Sequence, residues 1–204
     1  MEPNPIVALP LMEHFYTLQG EGRFTGHASY FIRLGGCDVG CVWCDVKESW
    51  DASKHPLVPI TEIVASVVTS GTKIAVITGG EPMMHNLDAL TEMLKAQGIR
   101  THVETSGAHP LSGNWDWICL SPKKFKAPLD EMIAAAHELK TVIYNKSDFD
   151  WAEQYAAKVS KDCLLYLQPE WSRAAAMNPL IIDHVKANPQ WKFSLQTHKF
   201  LDIP

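Results

Sequence analysis

Short apolar runs rich in β-branched residues alternate along the chain with segments whose apolar positions recur every three or four residues. The run Lys73–Thr78 (KIAVIT) predicts a buried strand, as do His27–Leu34, Arg100–Glu104, Trp115–Leu120, Thr141–Tyr144, Leu164–Gln168 and Trp191–Gln196. Between them, Ile60, Ile63, Val64, Val67 and Val68 fall at i, i+3, i+4, i+7 and i+8, and Leu87, Leu90 and Leu94 at i, i+3 and i+7. Those spacings put each set on one core-facing helix stripe. Further helices are predicted over Leu129–Leu139, Asp148–Val159 and Ala174–Val185, where Pro179 is a position that breaks or starts a helix.

Alternating strand and helix implies a largely parallel sheet of the α/β class. An open doubly wound sheet and a closed eight-stranded barrel both use that alternation, but the closed barrel takes about 250 residues. With 204 residues, the chain fits a partial, incomplete β/α barrel of about six parallel strands, with chemistry at the strand C-termini. The less ordinary residues gather there: Thr78-Gly79-Gly80-Glu81, Glu104-Thr105-Ser106-Gly107, Ser121-Pro122-Lys123 and Gln168-Pro169-Glu170 each follow or end a predicted strand. No repeat and no Gly/Ser- or Pro-rich linker divides the sequence, so residues 1–204 are expected to form one domain.

Composition narrows the function. A chain with 46% hydrophobic and 20% charged residues is an ordinary globular one. Its 18 Lys plus Arg against 23 Asp plus Glu leave a net charge of -5, which argues against nucleic acid as a partner. The opening segment MEPNPIVALPLMEHFY carries no basic leader and no membrane-spanning stretch, so a cytoplasmic protein without a membrane partner is expected. Five cysteines, three of them crowded into GGCDVGCVWCD, do not suit a disulfide framework and do suit a metal or cluster site.

Cys37, Cys41 and Cys44 form C-x3-C-x2-C, with Gly35, Gly36 and Gly40 letting the loop fold inward. Three thiolates fit three corners of a [4Fe-4S] cubane and leave the fourth iron open to a small molecule. Zinc, with His27 or His55 as fourth ligand, is the alternative, and three plain thiols the other. Cys119 and Cys163 read as packing residues; His85, His102, His109 and His198 as surface or hydrogen-bonded histidines; Trp115 and Trp117 as core or interface.

These residues resemble the radical S-adenosylmethionine (SAM) superfamily, whose cysteine loop follows a first strand and whose aromatic before the third cysteine corresponds to Trp43. Within it the chain resembles the 7-carboxy-7-deazaguanine synthase family from end to end. The matching stretches are Phe15-Tyr16-Thr17-Leu18-Gln19-Gly20-Glu21-Gly22, Arg33, Thr78-Gly79-Gly80-Glu81-Pro82, Glu104-Thr105-Ser106-Gly107, Ser121-Pro122-Lys123, Gln168-Pro169 and His198-Lys199-Phe200-Leu201-Asp202-Ile203-Pro204.

The resemblance implies a lyase of queuosine or other 7-deazapurine biosynthesis. SAM on the open iron gives a 5'-deoxyadenosyl radical that abstracts hydrogen from 6-carboxytetrahydropterin, and ring contraction with ammonia loss gives 7-carboxy-7-deazaguanine. It implies SAM contacts at Trp43, Cys44, Asp45, Gly79, Gly80, Glu81, Ser106, Ser121, Pro122, Lys123, Gln168, Pro169 and Glu170, with Glu81 accepting the methionyl ammonium. It implies substrate contacts at Leu18, Gln19, Gly20, Arg33, Thr78 and the C-terminal Pro204. Arg33 would grip the substrate carboxylate bidentately; a structural ion pair is the alternative for it. An electron donor such as flavodoxin or ferredoxin, and a homodimer, are implied as well.

One position departs from the family pattern. Ser or Thr is common two residues after the third cysteine as a magnesium (Mg2+) ligand, and Val46 stands there without a side-chain oxygen. Asp45, Glu48, a backbone carbonyl or substrate alone would have to serve, or magnesium is dispensable. An activase acting on a protein partner and a non-catalytic zinc-binding module are the competing functions.

Overall fold

The computed structural model describes residues 7–204. Residues 1–6, the first part of the segment read above for a leader, lie outside that range. Among the described residues one sheet of nine strands runs in the order β3-β1-β2-β4-β5-β6-β7-β8-β9. The strands are β1 Ala8–Leu18, β2 Ala28–Leu34, β3 Leu57–Pro59, β4 Ile74–Gly79, β5 Arg100–Thr105, β6 Trp117–Leu120, β7 Glu138–Ile143, β8 Leu164–Pro169 and β9 Trp191–Phe193. From β2 through β4 to β9 every pairing is parallel, while β1 and β3 run antiparallel at one edge. The helices are α1 Ile60–Thr69, α2 Asp88–Ala96, α3 Asp130–Ala135, α4 Ser147–Ala156, α5 Ala174–Ala187 and α6 Thr197–Leu201. The α/β partial barrel expected from the alternation is therefore present. Among the described residues no helix is long and apolar enough to cross a membrane.

Two apolar clusters hold the helices to the sheet. Ile32 and Ile77 of the strands join Ile63, Val67, Leu90 and Leu94 of α1 and α2 in one; Leu139, Ile143 and Leu167 join Met132 of α3, Ala152 of α4 and Ile181 of α5 in the other. Each fully buried Leu or Ile contributes about 1.5–3 kcal/mol, and strand alternation delivers these residues to the helical face. The same alternation sends the opposite residues of each strand inward. In β7, Leu139 and Ile143 join the apolar cluster while Glu138, Lys140 and Val142 turn to the barrel interior.

Differences from the periodicity reading have physical causes. β1 escaped it because its buried positions give way after Leu11 to half-exposed and exposed ones, as suits a strand near an edge, and a register shift between Leu11 and Glu13 interrupts the alternation. β7 begins at Glu138, not Thr141, and the helix predicted over Leu129–Leu139 is only Asp130–Ala135. Buried Glu138 and Lys140 made a strand resemble the polar face of a helix. β9 stops at Phe193, and the residues expected to extend it lead into α6, which periodicity missed because it has only five residues. Pro179 lies inside an unbroken α5: losing one N–H costs a single hydrogen bond, while Met177 and Ile181 stay buried. His102 is buried and its Nε2 has no partner, unlike the exposed or bonded histidine expected. Burial holds its pKa down at about 4, so it is a neutral ring packed on Phe24, 4.5 Å between centroids.

Candidate active site

The parallel strands open at their C-terminal ends into a cavity of about 280 Å³. Every residue singled out above for cofactor or substrate lines it except Pro122, which is buried behind the wall. The loop after β2 brings Cys37, Cys41 and Cys44 to one side of it. All five cysteines are free thiols, and Cys119 and Cys163 are buried away from this loop, as packing residues should be.

Backbone contacts shape the cysteine loop. Gly36 has φ +106°, a conformation open to glycine, and its N–H donates to Ser49 O at 2.6 Å while Cys37 N–H donates to Trp50 O at 3.0 Å. The turn after β4 then docks on the loop, with Glu81 N–H donating to Gly36 O at 2.8 Å. A Cβ on Gly80 would collide with the Gly36 carbonyl oxygen and come within 3.0 Å of Cys37 Cβ. Gly80→Ala is therefore expected to push the loop away, costing about 1–3 kcal/mol and lowering iron content after reconstitution; a variant with unchanged melting temperature and full iron content would refute this.

The three thiols fit a cluster in chemistry as well as position. Burial pushes the Cys37 thiol up and the Cys41 thiol up to about 11, against the pull of the Lys123 ammonium near Cys41. Coordination deprotonates such thiols outright and replaces the missing solvation. A single ion is less suited: among the described residues no three His, Cys, Asp or Glu side chains converge as its ligands would. His27 and His55 are held elsewhere, their ring nitrogens on the backbone carbonyls of Phe24 and Glu48 at 3.0 and 2.9 Å.

The SAM-type residues form a connected wall. Glu81 is buried and receives hydrogen bonds from Met83 N–H at 3.0 Å, Thr105 Oγ1 at 2.5 Å, and Ser106 N–H and Oγ at 2.8 and 2.5 Å. Its carboxylate thus clamps the β4 turn to the β5 turn, where the sequence had suggested a free acceptor for an ammonium. Lys123 donates to Ser121 O at 2.8 Å and lies over the Trp43 ring, 5.7 Å to the centroid. Glu170 accepts from Ser172 N–H at 3.1 Å and so also caps the turn after β8.

On the opposite side, Gln19 donates from Nε2 to Glu104 Oε1 at 2.9 Å, and Lys140 bridges Glu104, at 3.5 Å, and Glu21. Gln196 Nε2 donates to Glu21 Oε1 at 2.9 Å. Burial acts to raise the Glu21 carboxyl, but the Lys140 ammonium and its hydrogen bond outweigh that and hold it at about 2. Gln168 Oε1 accepts from Ser194 Oγ at 2.8 Å, which leaves its amide N–H groups for a ligand. Arg33 Nε is fixed by Glu13 Oε1 at 2.6 Å, the ion pair weighed as its alternative role, and the residue also lines the cavity. His198 covers Gly20 so closely that no Cβ would fit there, and burial lowers its pKa.

Glu21, Glu104, Lys140, Gln196, His198 and Lys199 line the cavity without having been assigned to it from the sequence. Glu21, Glu104, His198 and Lys199 lay inside matched motifs. Lys140 carried a signal of its own, a charged residue between apolar neighbours in ELKTVI, which the misplaced helix boundary hid. The magnesium candidates are largely engaged or turned away. Asp45 is paired with Lys199 at 2.8 Å, the Val46 carbonyl accepts from Ser49 Oγ at 2.6 Å and N–H at 3.1 Å, and Glu48 is exposed and off the cavity wall.

A three-cysteine loop at the C-terminal mouth of a parallel β/α sheet is the arrangement of a radical SAM enzyme, and residues 31–142 match the Radical SAM superfamily. The chain is 57% identical over 196 residues to the 7-carboxy-7-deazaguanine synthase of Flavobacterium psychrophilum, covering 96% of this chain and 93% of that one. It is 51% identical to the 7-carboxy-7-deazaguanine synthase of Synechocystis over 97% of this chain and 94% of the other. The crystal structure of QueE from Escherichia coli superposes with a TM-score of 0.83 at 32% identity, covering 94% of this chain and 95% of that one. The chain belongs to the 7-carboxy-7-deazaguanine synthase family of radical SAM enzymes. Neither a protein-activating enzyme nor a zinc module is favoured by these matches.

Proposed function

We propose that the chain converts 6-carboxy-5,6,7,8-tetrahydropterin to 7-carboxy-7-deazaguanine and ammonia, a lyase step of queuosine or related 7-deazapurine biosynthesis. The observation that carries this is the convergence of the three-thiol loop with Gln19, Arg33 and Gln168 on one cavity, in a chain 57% identical over 96% of its length to a 7-carboxy-7-deazaguanine synthase. We read residues 1–204 as one domain, since a single sheet is continuous from edge to edge across the described residues.

Cys37, Cys41 and Cys44 would hold a [4Fe-4S] cluster; with SAM bound at the iron that no thiol occupies, that pair supplies the one-electron cleavage that generates the radical. The chain itself binds, orients and excludes water. Because the Glu81 carboxylate is already saturated by four donors, the methionyl ammonium falls to the backbone carbonyls at Gly79 and Gly80, while Ser121 and Lys123 offer polar contacts to the rest of SAM. Arg33, its Nε held by Glu13, keeps its terminal N–H groups for the substrate carboxylate. Gln168 donates from its amide, and Glu104, oriented by Gln19 and Lys140, offers a carboxylate to the N–H edge of a pterin. Val42 beside Cys41 is 67% exposed, so the cluster side of the cavity is near the surface where a donor such as flavodoxin or ferredoxin delivers an electron. A homodimer is part of the same reading.

Anaerobic reconstitution followed by incubation with SAM, dithionite and the pterin tests this. Appearance of 7-carboxy-7-deazaguanine by mass spectrometry is the expected result. SAM cleavage without that product would retain the radical SAM class and reject the substrate.

A further inference from the structure

Where a Ser or Thr at position 46 would give a magnesium ion an oxygen ligand, this chain places Val46 and, beside it, an ammonium. Lys199 reaches from α6 across the cavity mouth to Asp45, Nζ to Oδ2 2.8 Å, and lies 5.3 Å from the centroid of Trp171. Its side chain is 22% exposed against 63% for Asp45, so the cation is the more enclosed partner. One of its three N–H groups serves Asp45; no other hydrogen bond engages it, and it lines the cavity along with Arg33 and Pro204. Beside Val46, Oδ2 of the Asp45 carboxylate is paired with this ammonium and the Val46 carbonyl accepts from Ser49.

We propose that Lys199 is the fixed cation for the anionic end of the substrate, so that ligand binding here is independent of magnesium. This rests on the substrate reading above, which supplies the carboxylate. An ammonium on a helix locked by an aromatic face and a carboxylate is preorganised, and a charge-assisted hydrogen bond from it needs no second ligand from position 46. A divalent ion entering this site would meet an ammonium already bound to Asp45.

The test is calorimetric binding of 7-carboxy-7-deazaguanine to the anaerobically reconstituted, SAM-bound protein, in EDTA and in excess magnesium chloride. The wild type is expected to show the same Kd in both. Lys199→Met is expected to bind roughly tenfold or more weakly in EDTA, and Lys199→Arg, which keeps the charge, to stay within about threefold of wild type. In Val46→Thr combined with Lys199→Met, magnesium is expected to tighten binding, because a freed Asp45 and a new hydroxyl then offer it ligands. A wild type that binds or turns over only with magnesium overturns the inference and leaves the substrate assignment standing. So does a Lys199→Arg variant as impaired as Lys199→Met with both melting temperatures lowered, which marks a tether of α6 and not a ligand cation. Absence of both binding and turnover in every condition would sink the substrate assignment and this inference together.

Discussion

Cys41→Ala is expected to yield a folded protein that, after anaerobic reconstitution, lacks the visible absorption of an iron–sulfur cluster and forms no detectable product. Cys41 is the central residue of the loop and, 8% exposed, the most enclosed of its three thiols. It packs with Val39 and Ala108 in a small apolar cluster that Cys37, Trp43 and Cys44 join from the side. Losing its sulfur costs little in folding, about 1 kcal/mol for one small buried group, but leaves only two thiolates where a cubane with one open iron needs three. The contrast lies in Cys119→Ala and Cys163→Ala. Both thiols are buried, Cys119 against Glu138 Oε1 at 3.6 Å and Cys163 beside the Leu164 carbonyl at 3.8 Å, and neither lines the cavity. Those variants are expected to take up the same iron as wild type with a modest fall in melting temperature. Full iron content in Cys41→Ala, or loss of the cluster in Cys119→Ala, would overturn the assignment of the loop.

The contrast between those cysteines is readable in the sequence, because ligand spacing is a local property: three thiols within eight residues must share a loop. Strand C-termini were readable for a similar reason, since Gly79-Gly80, Ser121 and Gln168 each punctuate an apolar run. What escaped were features that depend on distant partners. Nothing near Glu81 announces that Thr105 and Ser106, 24 and 25 residues away, will consume its carboxylate. Nothing near Asp45 announces Lys199, 154 residues further on. β1 was illegible because near an edge its buried positions lapse, and β7 because the interior of a barrel this small admits charged groups when each has an ion-pair or hydrogen-bond partner.

That paired interior gives the second large effect. Lys140→Met is expected to destabilise the fold by about 3–5 kcal/mol, the range for removing one partner of a buried ion pair, and so to lower the melting temperature by roughly 10 °C or more. The Lys140 side chain is 4% exposed and lies between Glu21, 13% exposed, and Glu104, 24% exposed. Burial works against its charge, but Glu104 and Glu21 more than compensate and hold its pKa well above the usual lysine value. A methionine fills similar volume and leaves the carboxylates without a counter-ion inside the barrel, with Glu138, whose carboxyl burial already raises, beside them.

The pH dependence separates this cause from simple misfit. In wild type the depressed Glu21 pKa contributes stability that is complete above the unfolded value of 4.5 and is lost as pH falls toward about 2. The raised Lys140 pKa contributes stability that is complete below 10.5 and lost only as pH rises beyond it. In Lys140→Met the ammonium no longer offsets burial, and only the Gln196 hydrogen bond and His198 still pull the Glu21 pKa down, so it rises and protonation relieves the strain as pH falls. The gap in melting temperature between variant and wild type is therefore expected to be widest near neutrality and to narrow below about pH 4.5. Glu21→Gln added to Lys140→Met is expected to recover part of the loss at neutral pH, since it removes one of the stranded charges, and a double-mutant cycle measures the coupling. A gap that stays constant with pH, with no recovery in the double variant, would mean that Lys140 matters for its packing and not for its charge.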